Sequence, residues 1–432
     1  MPKWSNWDHS VKCRPRAIER PASANEVVDI VNRSIEAKTT VRTFGAGHSW
    51  SPLVATEGTL VNLDNLCSVL SADRDTGKVV VEGGIRLRQI LPELQTYGLT
   101  MRNVGAITPQ SISGAMSTGT HGTGLGFGII GTQVSALRIV DGRGELREFT
   151  LKKHPTEMAA LRLSLGSLGI IVDVTVDCVP DHHVELHTFP LSFGDFLDGF
   201  EELYKQNERV RFYWFPGSKK VFVNTMNTTE KPIGLGPVYS WFESVVIRKL
   251  FLGALWGTGR LIEPMIPGLN SLQETLGYKE RRAVGPCYQA ITTPIPPRHQ
   301  EAEVAVPLEN ARKAIEAYGT LVQTRGIRIN VPSEIRFTKQ DDLMLSPCQR
   351  GDVCFIGAYT ATYEARTRFF ATFCSELQER FGGLPHWGKI GAPDRKTAQA
   401  LFPRFGEFED IRRSFDPNGV FANAYLKRLF KL

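Results

Sequence analysis

A strand that runs straight into a glycine-spaced loop constrains this chain more than any other feature: Val41-Arg42-Thr43-Phe44-Gly45-Ala46-Gly47-His48-Ser49-Trp50-Ser51-Pro52. Gly45 and Gly47 can take φ > 0, so successive N–H groups can converge on one point and form a concavity for an anion such as phosphate. His48 stands at its apex. A tight turn that merely ends a strand would use the same glycines.

A second stretch bears on that choice. From Gly105 to Gly124 the chain reads GAITPQSISGAMSTGTHGTG, dense in Gly, Ser and Thr and poor in charge. Here the backbone must make the contacts: a large planar or phosphorylated ligand can approach it closely and be hydrogen-bonded by it. Ile107, Ile112 and Met116 mark a packed segment, not a flexible linker. Gly126-Phe127-Gly128-Ile129-Ile130-Gly131 matches the dinucleotide pattern G-x-G-x-x-G, but its context rejects NAD. That fingerprint follows a strand and opens a helix, whereas here a small-residue loop precedes it and a strand, Val134–Val140, follows.

The 432 residues suggest two domains or one elaborated pair, and 42% apolar residues suffice for sizeable cores. Seven cysteines without a C-x-x-C pair read as reduced thiols, Cys354 as a packed one in an apolar strand. The +6 charge is dispersed, Lys279-Glu280-Arg281-Arg282 being its one tight cluster, so no nucleic-acid partner is expected. No run approaches the roughly 18 apolar residues of a membrane span. The nearest, Leu250 to Trp256, is flanked by Lys249 and Arg260, and Met1 to Asp8 carries no apolar signal core. A cytoplasmic protein without a transmembrane segment is expected.

Ser23-Ala24-Asn25-Glu26 reads as a capping box for a helix to about Lys38. Strands are expected at Thr59–Leu63, Lys78–Glu82, Val134–Val140, Glu145–Thr150 and Ile170–Val176, with a helix near Leu87–Tyr97. Prolines 216, 232, 237, 264, 267, 286, 294, 296 and 297 obscure the middle. Order returns with strand Glu303–Val306, helix Leu308–Thr324, strands Ile327–Thr338 and Val353–Thr362, and helix Ala365–Arg380 ended by Gly382. The class is α+β.

Glu334 and Arg336 lie two apart on a strand, so a carboxylate and a guanidinium face one way and Ile335 and Phe337 the other. Such a pair could equally be a surface ion pair. Lys389 follows Pro385-His386-Trp387-Gly388 after a capped helix, where His386 could relay a proton or cap the helix.

In order and spacing, the two loops resemble the FAD-binding domain of the vanillyl-alcohol oxidase flavoprotein family. The sugar-lactone branch is nearest: L-gulono-, L-galactono- and D-arabinono-1,4-lactone oxidoreductases, with alditol oxidases as neighbours. Ser164-Leu165-Gly166-Ser167-Leu168-Gly169-Ile170-Ile171, Glu334-Ile335-Arg336, His386-Trp387-Gly388-Lys389 and Phe415-Asp416-Pro417 through Leu426 continue the match along nearly the whole chain.

The resemblance implies an FAD domain over residues 1–180 and a substrate cap over 181–390 with an antiparallel sheet and helices. Residues 391–432 would return to the FAD domain. It implies FAD bound covalently through His48 to the flavin 8α-methyl, and held by Gly45, Ala46, Gly47, Ser49, Gly105, Ser111, Gly114, Ser117, Thr118, His121, Gly122, Gly169 and Ile171. Glu334, Arg336 and Lys389 would be catalytic, and Ala106, Glu334, Arg336, His386 and Lys389 would meet the substrate. No metal is implied. Gly105 favours oxygen over the acceptors of the plant-type dehydrogenases, which carry alanine there. Ala106, where alditol oxidases use serine, tilts the substrate from a polyol to a cyclic lactone. Quinone or cytochrome acceptors and alditol substrates stay open, as do the stereoisomer, the general base and the oligomeric state.

Overall fold

The structure, a computed structural model, describes residues 1–234, 250–277, 279–361 and 367–432. Pro237, Lys249, the expected strand end at Thr362 and the expected helix start at Ala365 lie outside them. The fold is α+β, with three main sheets carrying the chain.

The first sheet is parallel, with Thr59–Asn62 between Ala17–Glu19 and Val41–Phe44. Helix Ala24–Glu36 packs Val27, Ile30 and Val31 against Val41 and Val61. Its capping box is present in modified form. Ser23 Oγ accepts from Glu26 N–H at 3.2 Å, while the Glu26 carboxylate reaches one residue further back, to Ala22 N–H at 2.8 Å.

The second sheet is antiparallel, in the order Leu146–Thr150, Val134–Val140, Ile170–Asp177, Lys78–Glu82, Val69–Asp73. Helix Leu87–Thr96 and the C-terminal helices Phe405–Phe415 and Ala424–Phe430 share its core. The chain end is tied to the first sheet as well. Val41 N–H donates to Val420 O at 2.8 Å, and the buried Arg42 guanidinium donates to the carbonyls of Leu53, Leu165, Gly166 and Phe421.

The third sheet has eight strands. In spatial order they are Arg281–Pro286, His183–Ser192, Lys220–Thr229, Arg209–Trp214, Ser333–Thr338, Val353–Thr360, Gln300–Pro307 and Leu384–Pro385, all antiparallel. One face packs Val210, Phe212, Val223, Val304, Ile335, Phe337 and Ile356 on helices Phe193–Gln206, Ala311–Thr324 and Thr367–Phe381. By alternation, the opposite face is left to polar side chains, and it looks toward the glycine loops.

Two expected elements are corrected. The strand expected over Ile327–Thr338 begins only at Ser333, because Pro332 cannot donate to a ladder and Asn330 is drawn aside to Ala361 N–H and Trp256 O. The helix expected from Leu308 opens with a 3₁₀ turn, Leu308–Asn310, and becomes α-helical at Ala311.

Candidate active site

The polar sheet face and the glycine loops enclose a cavity of about 340 Å³. Strand Val41–Phe44 delivers the first loop to its wall. Gly47 has φ +71, and its carbonyl accepts from Trp7 N–H at 2.8 Å, which pins the turn beneath His48. A Cβ at Gly45 would stand 2.6 Å from Ser111 Oγ, so only glycine lets the two loops close on each other. Ser111 caps the short helix Ile112–Ser117 by accepting from Gly114 N–H, and Thr118 donates to Gly114 O at 3.0 Å. Such a cradle of main chain and small side chains, with no bulk projecting from Gly45, Ala46, Gly105 or Gly114, fits a flavin nucleotide.

Gly45 to Ser49, Gly105, Ala106, Ser111, Gly114, Ser117, Thr118, His121, Gly169 and Ile171 all line this cavity, as do Glu334, Arg336, His386 and Lys389. Gly122 is the exception. It lies behind the lining against Asn103, whose side chain a Cβ would strike, so close packing is what requires its glycine.

His48 is half-buried, its ring 5.0 Å from that of Trp7. Burial, with the neighbouring His299, Lys389 and Arg86, pushes its pKa down to about 4, so the imidazole is neutral at pH 7. The loop carrying Lys389 bridges the two walls. Trp50 N–H donates to Gly388 O at 2.8 Å, and the N–H groups of His386 and Ile390 donate to the Glu303 and Glu301 carbonyls at 3.0 Å.

The end lined by Glu334, Arg336 and Lys389 is a buried charge network. Arg336 Nη2 donates to Glu303 Oε1 at 2.5 Å, Nη1 donates to His121 O at 3.1 Å, and Nε lies 3.7 Å from Glu334. Glu334 also faces Arg211 at 3.6 Å and accepts from Tyr359 O–H at 3.4 Å. Lys389 Nζ pairs with Glu301 and sits 4.9 Å above the Trp50 ring. Burial opposes the charge on Glu334, yet Arg336 and Arg211 outweigh it and hold the carboxyl below its ordinary value. Glu303 is held further down against the same burial by Arg336, whereas burial raises Glu301 despite Lys389.

Burial, reinforced by Arg336, keeps His121 neutral, its Nδ1–H directed to Gly122 O at 3.0 Å. Burial likewise lowers His386 to about 3, with Nδ1 accepting from Gly388 N–H at 3.0 Å. His121, Glu303 and His386 offer ligand atoms within 4.8 Å of one another, but the Arg336 guanidinium already supplies the cation there.

Sequence reasoning missed Glu301, Glu303, Arg211 and Tyr359. Two of them had a signal: in Gln300-Glu301-Ala302-Glu303-Val304 the acids alternate with residues that enter the core, as Glu334 and Arg336 do.

Residues 174–429 match the D-arabinono-1,4-lactone oxidase family, and residues 15–150 match an FAD binding domain. L-gulonolactone oxidase of Scyliorhinus torazame is 31% identical over 99% of this chain and 98% of its own length. L-gulono-1,4-lactone dehydrogenase of Mycobacterium tuberculosis is 33% identical over 99% of each. Among solved structures, cholesterol oxidase from B. sterolicum superposes with a TM-score of 0.83 over 99% of this chain and 96% of that one. At 16% identity that likeness concerns the fold alone. No helix among the described residues is long and apolar enough to cross a membrane.

Proposed function

The chain belongs to the D-arabinono-1,4-lactone oxidase family, and from that premise we propose that it oxidises a sugar 1,4-lactone at the 2-hydroxyl. The resulting 2-keto lactone tautomerises to an ascorbate-type enediol. FAD, when bound, supplies the acceptor for the hydride and passes the electrons to oxygen as hydrogen peroxide. Residues 1–180 with 391–432 form the FAD domain on this reading, and 181–390 the cap. The shared packing of the C-terminal helices with the second sheet supports that division.

The observation that most supports the reading is that Glu334, Arg336 and Lys389 line the same cavity as His48 and the glycine loops. Glu334 Oε1 is buried without a hydrogen-bond partner among the described residues, an acceptor available to a sugar hydroxyl. Arg336 and Lys389 hold fixed positive charge where negative charge grows during oxidation, in a site walled from water. Orientation of the lactone by this fixed network can supply about 7–11 kcal/mol, against roughly 10²–10⁴-fold for acid–base help.

The test is anaerobic bleaching of the visible flavin band by L-gulono-, L-galactono- or D-arabinono-1,4-lactone, with xylitol beside them, followed by air. Bleaching by a lactone and recovery in air are expected. Bleaching by xylitol alone would move the substrate to alditols, and recovery only with an added dye would exclude oxygen. Lys389→Met is expected to slow lactone-driven bleaching by about 2–4 kcal/mol, roughly 30- to 1000-fold, the cost of one preorganised charge. An unaltered bleaching rate would remove Lys389 from the chemistry.

Gly105→Ala is expected to slow reoxidation by oxygen about tenfold or more while lactone reduction changes less. The added Cβ would sit 2.8 Å from Thr120 Cγ2, so packing and oxygen access must be separated. Gly105→Ala/Thr120→Ser removes that methyl. If oxygen reactivity returns in the double variant, the effect belongs to packing and the gate does not exist.

A further inference from the structure

Among the described residues, the histidines that line the cavity are His48, His121, His299 and His386. Taking a proton from a substrate hydroxyl needs a ring nitrogen whose lone pair is still unshared, and the hydrogen bonds single one out. His121 directs Nδ1–H to Gly122 O, and its Nε2 lies 3.4 Å from Arg336 Nη2, which can only donate. In His386, Nδ1 accepts from Gly388 N–H at 3.0 Å, so the ring proton sits on Nε2. The family resemblance commits the lone pair of His48 to the flavin 8α-methyl. His299 differs from all three. Its Nδ1 lies 2.8 Å from Pro297 O, and a carbonyl can only accept, so Nδ1 carries the proton and Nε2 the lone pair. Nε2 has no hydrogen bond among the described residues.

The ring stands beside the lactone site. His299 immediately precedes strand Gln300–Pro307, and it lines the cavity with Glu301 and Glu303 of that strand. Four aromatic rings surround it, Trp7, Trp50, Tyr359 and Trp256, at centroid distances of 5.3, 5.7, 5.7 and 6.2 Å. They hold the imidazole at 6% exposure. A buried ring nitrogen without a donor is costly, and a substrate O–H in the cavity is a donor that removes the cost. Tyr359 sets the reach, because its ring faces His299 while its hydroxyl donates to Glu334 at 3.4 Å. Glu334 and His299 thus flank one tyrosine side chain, and a five-membered lactone laid along it meets both.

Resting on the lactone-oxidation reading, we propose that His299 Nε2 takes the proton of the lactone 2-hydroxyl as the carbon that bears it is oxidised. The O–H bond breaks with its proton passing to Nε2. The C–H bond on the same carbon breaks with its electron pair passing as hydride to the FAD of that reading, and the C–O bond becomes the carbonyl. Two electrons and two hydrogens leave the lactone: the pair and one hydrogen go to FAD, the other hydrogen to the imidazole as a proton. The imidazolium keeps Nδ1–H on Pro297 O, and the nearby carboxylate of Asp8, which accepts from Gln300 Nε2 at 3.2 Å, favours its charge. Before the reaction the ring is neutral, since burial, with Lys389, pushes its pKa down to about 4. A base that weak is sufficient, because departure of hydride makes the hydroxyl strongly acidic. Glu334 then accepts from a second hydroxyl and orients the lactone.

Anaerobic stopped-flow reduction of the holoenzyme tests this in wild type, His299→Gln and His299→Ala, with whichever of the three lactones reduces wild type fastest. Glutamine can accept the hydrogen bond but not the proton, so the limiting rate should fall about 100-fold while the half-saturating concentration changes little. His299→Ala should lose the same factor and leave a ring-shaped space beside the cavity. Added imidazole should then restore the rate in proportion to its concentration, and pyrrole, of the same shape without a basic nitrogen, should restore nothing. Flavin content and the share of flavin in the acid pellet should match wild type in both variants. An unaltered limiting rate, a change confined to the half-saturating concentration, or a slow His299→Ala that imidazole does not rescue overturns the proposal while lactone oxidation stands. Equal rescue by pyrrole also overturns it, by reducing the ring to packing. Loss of flavin from His299→Gln overturns it by assigning the ring to the cofactor. Failure of every lactone to bleach the wild-type flavin removes the underlying reading as well.

Discussion

Arg336→Met is expected to cut lactone-driven flavin reduction by about 10³-fold and to destabilise the fold by about 3–5 kcal/mol at pH 7. Methionine roughly matches the length of arginine, so little volume is lost; the electrostatic loss dominates. Glu303 is fully buried and Glu334 is 6% exposed, and Arg336 is the cation they share. Removing it strands two carboxylates in a site where each now stays ionised only through that guanidinium and its neighbours. The sign with pH follows. In wild type the lowered carboxyl pKa of Glu303 contributes stability above the unfolded-state value and loses it as pH falls through the folded one. In the variant burial is no longer opposed, the pKa rises, and protonation relieves the strain, so the deficit should shrink between pH 7 and pH 5. Denaturant unfolding at the two pH values and stopped-flow reduction at pH 7 read both effects. Arg336→Lys keeps the charge without the two-pronged donor and should fall between the two. A deficit that does not change with pH would mean that the carboxylates are not what Arg336 holds.

Most of the first two sheets was legible because their strands keep one face apolar and are bounded by glycine, which is where periodicity is informative. Lys78–Glu82 and Val134–Val140 fall where alternation put them. Much of the cap sheet was not. Lys220–Thr229 is buried over most of its length and carries Asn224 and Asn227 on strand positions that composition assigns to loops. His183–Ser192 contains Pro190. Arg209–Trp214 does alternate, with Arg209, Arg211 and Tyr213 on one face and Val210, Phe212 and Trp214 on the other, but buried arginines read as surface.

The same inversion governs the site. Glu334 and Arg336 stood out only through a two-residue pattern shared with a family, while Glu301 and Glu303, which neutralise the two cations, carry no motif. They are buried acids on a strand, and what keeps them there is a partner 33 or 88 residues away, Arg336 or Lys389. Their alternation with Ala302 and Val304 is legible as a strand face, but long-range charge compensation of that kind leaves no local sign that the face is buried.

His48→Ala is expected to convert a flavin that stays with acid-precipitated protein into one that is fully released. The side chain suits covalent attachment for a reason visible in its surroundings. With its pKa pushed down to about 4 it is neutral across the physiological range, so a ring nitrogen keeps the lone pair needed to bond the flavin 8α-methyl. The alanine variant should still bind flavin, because most of the cradle around Gly45, Ser111 and Gly114 is main chain and small side chains that the substitution does not touch. It should, however, bind a less oxidising flavin, since the bond to the ring is one of the electronic levers the protein has. Lactone reduction should slow by about tenfold, with oxygen reactivity much less affected. The decisive comparison is the visible spectrum of pellet and supernatant after acid precipitation of the two proteins. Wild-type protein that surrenders all its flavin would reduce His48 to a wall of the cavity, and the lowered pKa would then reflect only its crowding by His299, Lys389 and Arg86 under a buried loop.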